Sequence, residues 1–280
     1  MQIHQGSSRC VKTRRFIPIY GESYKTKNTH TNMKPLLILL LFTLTLPAPA
    51  QNKDSRYFEM RTYHCNDNKR PDLIKRFKDH TVRLLEKHGI ENIAYFIPTD
   101  ESNNSLTFIL GYPDKASRDV RFNKFANDPE WLVAKKESEA NGPLVEKVDQ
   151  VFMTVAPELS PKIKKSSGKG ERIFELRTYY CFPGKVTNIN ARFRDHTRKL
   201  FEKHGMTNIA YWFTSESEGT QPKLVYLLAH KDEKSAKASF DSFRNDPEWI
   251  KVRDASEANG KIVEKVESRY LKALDFSPIK

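Results

Sequence analysis

The sequence predicts an α+β protein made of two tandem βαββαβ domains, and three observations carry that prediction. The first is a repeat, because "NDPEW" at Asn127 returns at Asn245 and "SEANG" at Ser138 returns at Ser256. The second is the order in which strand-like and helix-like periods follow one another within each copy. The third is an apolar sheet face that one copy alone would leave in water.

The repeat has the length of a small domain. When the chain is aligned with itself, the offset is 116 residues in the first part of each copy and 118 residues after one loop of unequal length. That period is too long for the unit of a solenoid and fits a compact domain. We therefore expect one domain over residues 51–157, a linker over residues 158–171 and a second domain over residues 172–280.

The elements of the first copy follow from its periodicities. "YFEMRTYHC", which begins at Tyr57, alternates bulky and polar residues and predicts a strand. Apolar residues recur at helical spacing over residues 69–88, and Gly89 follows as a stop signal. The later elements are the strands "NIAYFIP" and "SLTFILGY", helices over residues 115–126 and 129–140, and the strand "EKVDQVFMTV". The order βαββαβ is that of a ferredoxin-like domain.

The repeated pentapeptides mark the two ends of one helix. Asp128 can accept hydrogen bonds from the first free backbone N–H groups, and Pro129 and Glu130 suit the first helical turn. Gly142 supplies the left-handed residue that ends the helix. Trp131 is then explained by packing of this short helix, in preference to a catalytic role.

Two copies can cover each other's exposed sheet face. Pairing the two faces buries both and can leave a cavity between the sheets. The linker is rich in Pro, Gly, Ser and Lys, and as a flexible chain it spans on the order of 20 Å. We expect an intrachain pseudo-dimeric α/β barrel in a monomer or a higher homo-oligomer, with neither copy stable alone.

The first 50 residues have the features of a leader that ends in a secretory signal. Lys34 precedes an eleven-residue apolar run over residues 36–46, and Ala48 and Ala50 suit cleavage before Gln51. The run is shorter than the roughly 20 residues of a spanning helix, so no stable membrane insertion is expected after cleavage. Either Met33 is the initiator or residues 1–32 form a long basic segment. The predicted location is secreted or periplasmic.

The basic charge belongs partly to this leader. The whole chain has a formal net charge of +13, and removal of residues 1–50 leaves 41 Lys and Arg against 34 Asp and Glu, a net charge of +7. Lys and Glu alternate along the helices, which is typical of a solvated surface. No basic run is interleaved with aromatic residues beyond the leader, so nucleic acid is not an expected partner.

Two cysteines remain in the mature chain, at equivalent positions of the copies. Cys65 and Cys181 could form a bridge in an oxidising compartment if their Cα atoms approach within about 7 Å. The other interpretation, which we favour, is two small buried thiols.

Several motifs together resemble one family. The strands "YFEMRTY" and "IFELRTY", the helical "RFKDHT" and "RFRDHT", the elements "HGIENIAYF" and "HGMTNIAYW" and the "NDPEW" segment resemble the NIPSNAP family of the dimeric α/β-barrel group. The resemblance covers both copies and implies a domain pair with a barrel-like interior. This fold is shared with cofactor-free monooxygenases and haem-degrading enzymes. Animal members are associated with mitochondria and protein scaffolding, which an exported location does not fit.

The first strand of each copy supplies the candidate catalytic residues. Because alternate side chains share a face, the polar face of the strand holds Glu59, Arg61 and Tyr63, and the equivalent face holds Glu175, Arg177 and Tyr179. We expect the apolar face against the helices and the polar face in the space between the sheets. An arginine there could hold an anionic or carbonyl-bearing ligand, with the tyrosine as donor and the glutamate as a binding group. A self-neutralising Glu-Arg network is the structural alternative.

Other candidate ligand-binding residues are aromatic or histidine. Phe96 and its counterpart Trp212 differ between the copies, and His80 and His196 lie mid-helix. We favour the interpretation that these two histidines are hydrogen-bonded packing residues, and a haem or metal ligand is the alternative. His88 and His204, in the last helical turn, are explained by capping. No metal-ligand spacing is present, so we expect no metal and no cofactor, with haem as the alternative.

Two classes of function fit the sequence. The first is an exported protein that binds or converts a small organic molecule in the cavity between the sheets, with chemistry related to cofactor-independent monooxygenases. The second is a structural or protein-interaction module with a filled core. A cavity of a few hundred Å³ with convergent polar groups favours the first class.

Overall fold

The computed structural model describes residues 54–166 and 171–280. The predicted leader and signal, over residues 1–50, lie outside the described residues, so export stays a prediction. Within the described ranges, no helix combines the length and apolar character that a membrane span requires.

Each copy forms the predicted βαββαβ unit, in which short helices flank a π-helical turn. The first copy consists of β1 (Tyr57–Cys65), α1 (Arg70–Arg76), α2 (Val82–Lys87), β2 (Glu91–Pro98), β3 (Ser105–Tyr112), α3 (Lys115–Ala126), α4 (Pro129–Ser138) and β4 (Val145–Val155). The second copy consists of β5 (Ile173–Cys181), α5 (Val186–Arg192), α6 (Arg198–Lys203), β6 (Thr207–Thr214), β7 (Leu224–His230), α7 (Glu233–Arg244), α8 (Pro247–Ser256) and β8 (Val263–Ala273).

All eight strands close into one antiparallel barrel. The strand order is β1-β3-β2-β8-β5-β7-β6-β4, and a shift by four positions places every strand on its counterpart in the other copy. The copies join at two seams, where β2 pairs with β8 and β4 pairs with β6. The prediction of tandem copies packed as a pseudo-dimeric barrel is therefore confirmed.

The predicted orientation of the first strands is wrong. Phe58 and Met60 point into the barrel and pack with residues from both copies, whereas Glu59 and Arg61 lie under the helices. The reason is that both faces of the sheet are covered. The closed interior offers charges few partners, while the outer face meets charged helix side chains such as Arg118.

The pentapeptide at Asn127 begins a helix as predicted, whereas that helix ends at Ser138, four residues before the left-handed Gly142 that was expected to end it. The Asp128 carboxylate accepts a hydrogen bond from the Glu130 backbone N–H at 2.8 Å, and Pro129 occupies the first helical turn. Trp131 packs on Phe125 with 4.7 Å between ring centroids, and Arg76 lies over its ring. The packing interpretation of this tryptophan is consistent with these contacts.

The π-helical turn accounts for the threonine of the "DHT" motif. The turn spans Phe77–Thr81 between α1 and α2, and Phe193–Thr197 between α5 and α6. Thr81 Oγ1 donates to the Arg76 carbonyl at 3.2 Å, and the second copy repeats this bond at 3.1 Å. The hydroxyl thus satisfies a buried carbonyl five residues earlier in the chain.

Candidate functional site

One end of the barrel encloses a cavity of about 290 Å³ that both copies line. Its walls come from β1, β4, β5, β6, β7 and β8 and from the residue before β7. The lining residues are Met60, Thr62, Asp149, Val151, Leu176, Thr178, Tyr180, Thr214, Lys223, Val225, Glu267, Ser268 and Arg269. Since the shift by four strands relates the copies, equivalent residues such as Thr62 and Thr178 line one space.

The strand register gives the cavity an apolar level and a polar level. At the apolar level, Met60 lies beside Val151 and Leu176 beside Arg269. Two residues along each strand, Thr62 lies beside Asp149 and Thr178 beside Glu267. One charged residue, Arg269, therefore shares the level of the apolar side chains.

Arg269 is half-buried and has few compensating contacts. Its Nη2 lies 3.4 Å from Thr62 Oγ1, a hydroxyl of the other copy. Throughout residues 54–166 and 171–280, no carboxylate lies within ion-pair distance of Arg269. Burial lowers the pKa of the guanidinium, although it remains a cation at neutral pH. The result is a positive charge inside the barrel without a directly contacting counter-ion.

The acidic residues of the cavity are engaged with other partners. Asp149 lies 2.7 Å from His64 Nε2 and 2.8 Å from Lys147 Nζ. Glu267 accepts a hydrogen bond from Tyr180 OH at 3.0 Å and pairs with Lys265 at 2.6 Å. These two carboxylates reach Arg269 through longer-range attraction alone.

Lys223 places a second cation at the polar end of the cavity. Its Nζ pairs with Glu216 at 3.0 Å and lies 5.4 Å from the centroid of the Tyr180 ring. Glu216 also accepts a hydrogen bond from Thr214 Oγ1 at 2.7 Å. The charge of Lys223 is therefore balanced within the protein, in contrast to that of Arg269.

Aromatic packing fills another part of the barrel interior. Phe96 lies 5.0 Å from Phe174, and Trp212 lies 6.0 Å from Phe58, measured between ring centroids. Phe96 and Trp212 are fully buried and are not among the residues that line the cavity. The Trp212 indole N–H has no acceptor among the described residues.

The predicted catalytic group of the first copy lies outside the barrel wall. Glu59 accepts hydrogen bonds from Arg61 Nη1 at 2.6 Å, from Arg118 Nε and Nη2 at 2.8 Å and from Tyr112 OH at 3.0 Å. Burial raises the pKa of Glu59, but the two guanidiniums outweigh it and hold the pKa below its ordinary value. Tyr63 packs against Phe77 of the helical layer. This arrangement matches the structural alternative, a self-neutralising network.

The second copy forms a smaller version of this network. Glu175 pairs with Arg177 at 2.5 Å, accepts from Ser268 Oγ at 2.5 Å and lies 3.1 Å from His230 Nε2. Tyr179 packs on Phe193 beneath the helices. The expected placement of Glu175, Arg177 and Tyr179 in the space between the sheets is therefore wrong as well.

The two mid-helix histidines lie on the outer surface, on the π-helical turns. His80 is partly exposed, and His196 is exposed at the edge of an open groove of about 590 Å³ between α5 and α8. Neither histidine lines the barrel cavity. No group of three His, Cys, Asp or Glu side chains in the described ranges is arranged to hold a metal ion.

Each helix-terminal histidine contacts the N-capping aspartate of the last helix of its copy. His88 Nε2 lies 2.7 Å from Asp128 Oδ2, and His204 Nε2 lies 2.7 Å from Asp246 Oδ2. Their imidazoles therefore join the end of one helix to the start of another, a role beyond the predicted capping.

The two cysteines are unpaired thiols in separate cores. Cys65 packs in the helical core of the first copy, and Cys181 in that of the second. Burial raises the pKa of Cys65 and raises that of Cys181 to about 11. The interpretation as buried thiols is the one that the structure supports.

Sequence analysis missed the charged residue inside the barrel. With the offset of 118 residues, Arg269 aligns with Val151, so a cation replaces an apolar residue on an inward-facing strand position. Likewise, Lys223 aligns with Ser105. The alignment of the two copies shows both unequal pairs. Whether these residues line the cavity could not be predicted, because the sequence does not say which strand face points inward.

Both copies match a known protein family, and the fold of the whole barrel resembles that of solved structures. The NIPSNAP family model matches residues 58–160 and 174–278. A proposed monooxygenase from Fusobacterium nucleatum is 12% identical, with a TM-score of 0.52 over 79% of this chain and 93% of that chain. An anthrone oxidase-like protein is 9% identical, with a TM-score of 0.50 over 81% and 95%. These likenesses show the fold alone.

Each half of the chain has the length of a single NIPSNAP domain. A NIPSNAP domain protein from Burkholderia xenovorans is 23% identical over 36% of this chain and 94% of its own, with a TM-score of 0.32. A search of curated proteins found no match. Because the family model matches most of the sequence in two consecutive segments, the chain belongs to the NIPSNAP family and carries two NIPSNAP domains in tandem.

Proposed function

We propose that this protein is exported and binds a small organic molecule in the barrel cavity. The observation that carries the proposal is a cavity of about 290 Å³ in which side chains from both copies place polar groups around an apolar level. Its volume is at the lower end of the range for small-molecule sites, which have mostly apolar walls and a few convergent polar groups.

The cavity also argues against a purely structural module. In a module with a filled core, aromatic and aliphatic side chains would occupy the whole interior. Phe58, Phe96, Phe174 and Trp212 do fill part of it, but the level of Thr62 stays open. Closely packed interiors leave few voids larger than a water molecule, so an open polar space of this size favours a ligand site.

Two proteins of the same fold support the proposed class of ligand. The names of the Fusobacterium nucleatum protein and the anthrone oxidase-like protein refer to oxidation chemistry. Oxidation of a small organic molecule requires a site that encloses it, and the barrel cavity provides such an enclosure. We extend to this chain the binding of a small organic molecule and no particular reaction.

Native mass spectrometry of the protein purified from its own source tests the proposal. We expect a retained mass on the wild-type protein and its loss in Thr178→Trp, because the larger side chain fills the cavity that Thr178 lines. Val148→Trp is the matched control, since Val148 lies on β4 with 41% exposure and does not line the cavity. Absence of a retained mass, or equal retention by Thr178→Trp, contradicts the proposal.

A further inference from the structure

We infer that the cavity selects a small organic carboxylate, which Arg269 binds through its guanidinium. The inference rests on the proposed function and adds the chemical class of the ligand. It starts from the unequal contributions of the two copies, because Arg269 stands where the first copy has Val151. A barrel made from two identical halves would have the same residue, valine or arginine, at both positions.

A charge at this level of the barrel requires compensation. Arg269 lies beside Leu176 in the strand register, at the level where Met60 and Val151 also lie. Met60 and Leu176 are 6% and 3% exposed, so the wall beside Arg269 is apolar and well packed. Arg269 is half-buried, and a cation partly removed from water is stabilised by an anion that pairs with it, which a bound carboxylate supplies.

The guanidinium has unused donors for such a ligand. It carries five N–H donors, and its one hydrogen bond to the described residues is that from Nη2 to Thr62 Oγ1 at 3.4 Å. Thr62 Oγ1 is also 3.1 Å from Thr107 Oγ1, which fixes the hydroxyl in place. A planar fork with free donors matches the two oxygens of a carboxylate.

The protein's own carboxylates leave this position open. Asp149 pairs with Lys147 and His64, and Glu267 with Lys265 and Tyr180. Both attract Arg269 from beyond ion-pair distance and so favour its charged form without occupying its donors. Lys223 is already paired with Glu216, so the cavity has one cation to offer and suits a ligand with one negative charge.

The other lining residues determine the size and polarity of the part of the ligand that lies away from its carboxylate. Met60, Val151, Leu176 and Val225 present apolar side chains to the cavity. A volume of about 290 Å³ limits the ligand to a small molecule. Together these features fit a short aliphatic or single-ring carboxylic acid with its carboxylate at Arg269.

The test uses benzoate and its neutral isostere benzamide as probes, with dissociation constants from ligand-detected NMR titrations of the full chain. We expect the wild-type protein to bind benzoate about 10- to 100-fold more tightly than benzamide, since hydrogen bonds between charged groups contribute that much. In Arg269→Met the preference disappears, and in Arg269→Lys part of it remains. Lys223→Met is the control, a cation of the same cavity whose loss leaves the preference in place.

Each outcome decides between the inference and the broader proposal. Equal binding of the two probes by the wild-type protein, or an unchanged preference in Arg269→Met, overturns the inference while leaving the cavity as a binding site. Failure of benzoate to bind at 10 mM, roughly the limit of specific weak binding, also overturns it. If Lys223→Met loses the preference for benzoate to the same extent, the preference comes from the overall positive charge of the cavity, and the inference is overturned. Thermal melting confirms folding, and Arg269→Met is expected to fold because Val151 is apolar at the equivalent position.

Discussion

Each copy has a buried glutamate on the outer face of its first strand, and the two copies surround it with different partners. Glu59 meets the guanidiniums of Arg61 and Arg118, whereas Glu175 meets Arg177 and the ring of His230. The position of Arg118 is occupied by Ala236 in the second copy. Loss of the carboxylate therefore leaves Arg61 without a counter-charge and Arg118 with only the exposed Asp119 in the first copy, and it leaves one unpaired guanidinium in the second.

This difference predicts unequal effects of the same substitution. We expect Glu59→Gln to lower the free energy of unfolding by about 3 to 5 kcal/mol, the usual effect of breaking a buried ion pair, and Glu175→Gln to lower it by less. Urea unfolding followed by circular dichroism measures both, with the exposed Glu101→Gln as control. Equal midpoints for the two buried variants would show that the number of arginines is not the deciding quantity.

Among single residues, the sequence predicted the charged network of the first strand but not the cation inside the barrel. It placed Glu59, Arg61 and Tyr63 on one face and described their self-neutralising pairing as one alternative, which the contacts support. It could not place Arg269, because its importance comes from neighbours on strands that are distant in sequence, such as Thr62. A distance of 207 residues along the chain separates those two partners.

Among the helices, one aspartate joins two. Asp128 caps the start of α4, pairs with Lys87 at 2.7 Å and lies 2.7 Å from His88 at the end of α2. Asp246 repeats all three contacts in the second copy. Hydrogen bonding from Lys87 and then His88 lowers the pKa of Asp128 to about 2. The repeated aspartate thus forms a joint between the end of α2 and the start of α4.

The low pKa gives this joint a definite pH dependence. The folded pKa of Asp128 is about 2 and its ordinary value is 3.8, so its stabilisation is complete above pH 3.8 and is lost as the pH falls towards 2. We expect urea midpoints to decrease from wild type to Asp128→Asn to Asp128→Ala at pH 7, because Asn keeps the cap but loses the charge.

Measurements at pH 7, 5 and 3 check the sign. The difference between wild type and Asp128→Asn should be smaller at pH 3 than at pH 5, because part of the carboxylate is protonated in the unfolded chain at pH 3. A difference that grows from pH 5 to pH 3 would contradict the assignment. Asp119→Asn is the control, since Asp119 lies on the exposed surface of α3.

The elements themselves were predictable because their signals are local. Caps, stop glycines and alternation lie within a few residues of each other, as in Asp128 and Gly142, and the structure places helix ends close to them. The inward face of β1 was not predictable in this way, since alternation separates Phe58 from Glu59 without saying which side the helices cover. The π-helical turns also escaped prediction, because Thr81 differs little from an ordinary helical threonine in sequence.

At the scale of the whole molecule, the barrel is one closed sheet made from two unequal halves. Each half supplies four strands, and the seams between the halves pair three residues on each side. The apolar core inside the barrel contains residues of both halves, such as Met153 and Leu271. A half that is expressed alone can cover its apolar face only by pairing with a second copy of itself.

The two isolated halves should therefore differ in how tightly they pair. Residues 51–160 would form a barrel with Val151 twice at the inner level, and residues 172–280 one with Arg269 twice. Two guanidiniums around one cavity repel each other in a medium of low dielectric constant, so we expect the second half to dimerise more weakly than the first.

Sedimentation equilibrium of both fragments, and of the second fragment with Arg269→Val, measures the difference in dimer affinity. Arg269→Val should strengthen the second dimer, and added benzoate should do so without the substitution. A stable monomer of either half with the stability of the full chain would refute the mutual burial, and an unchanged second dimer in Arg269→Val would refute the repulsion.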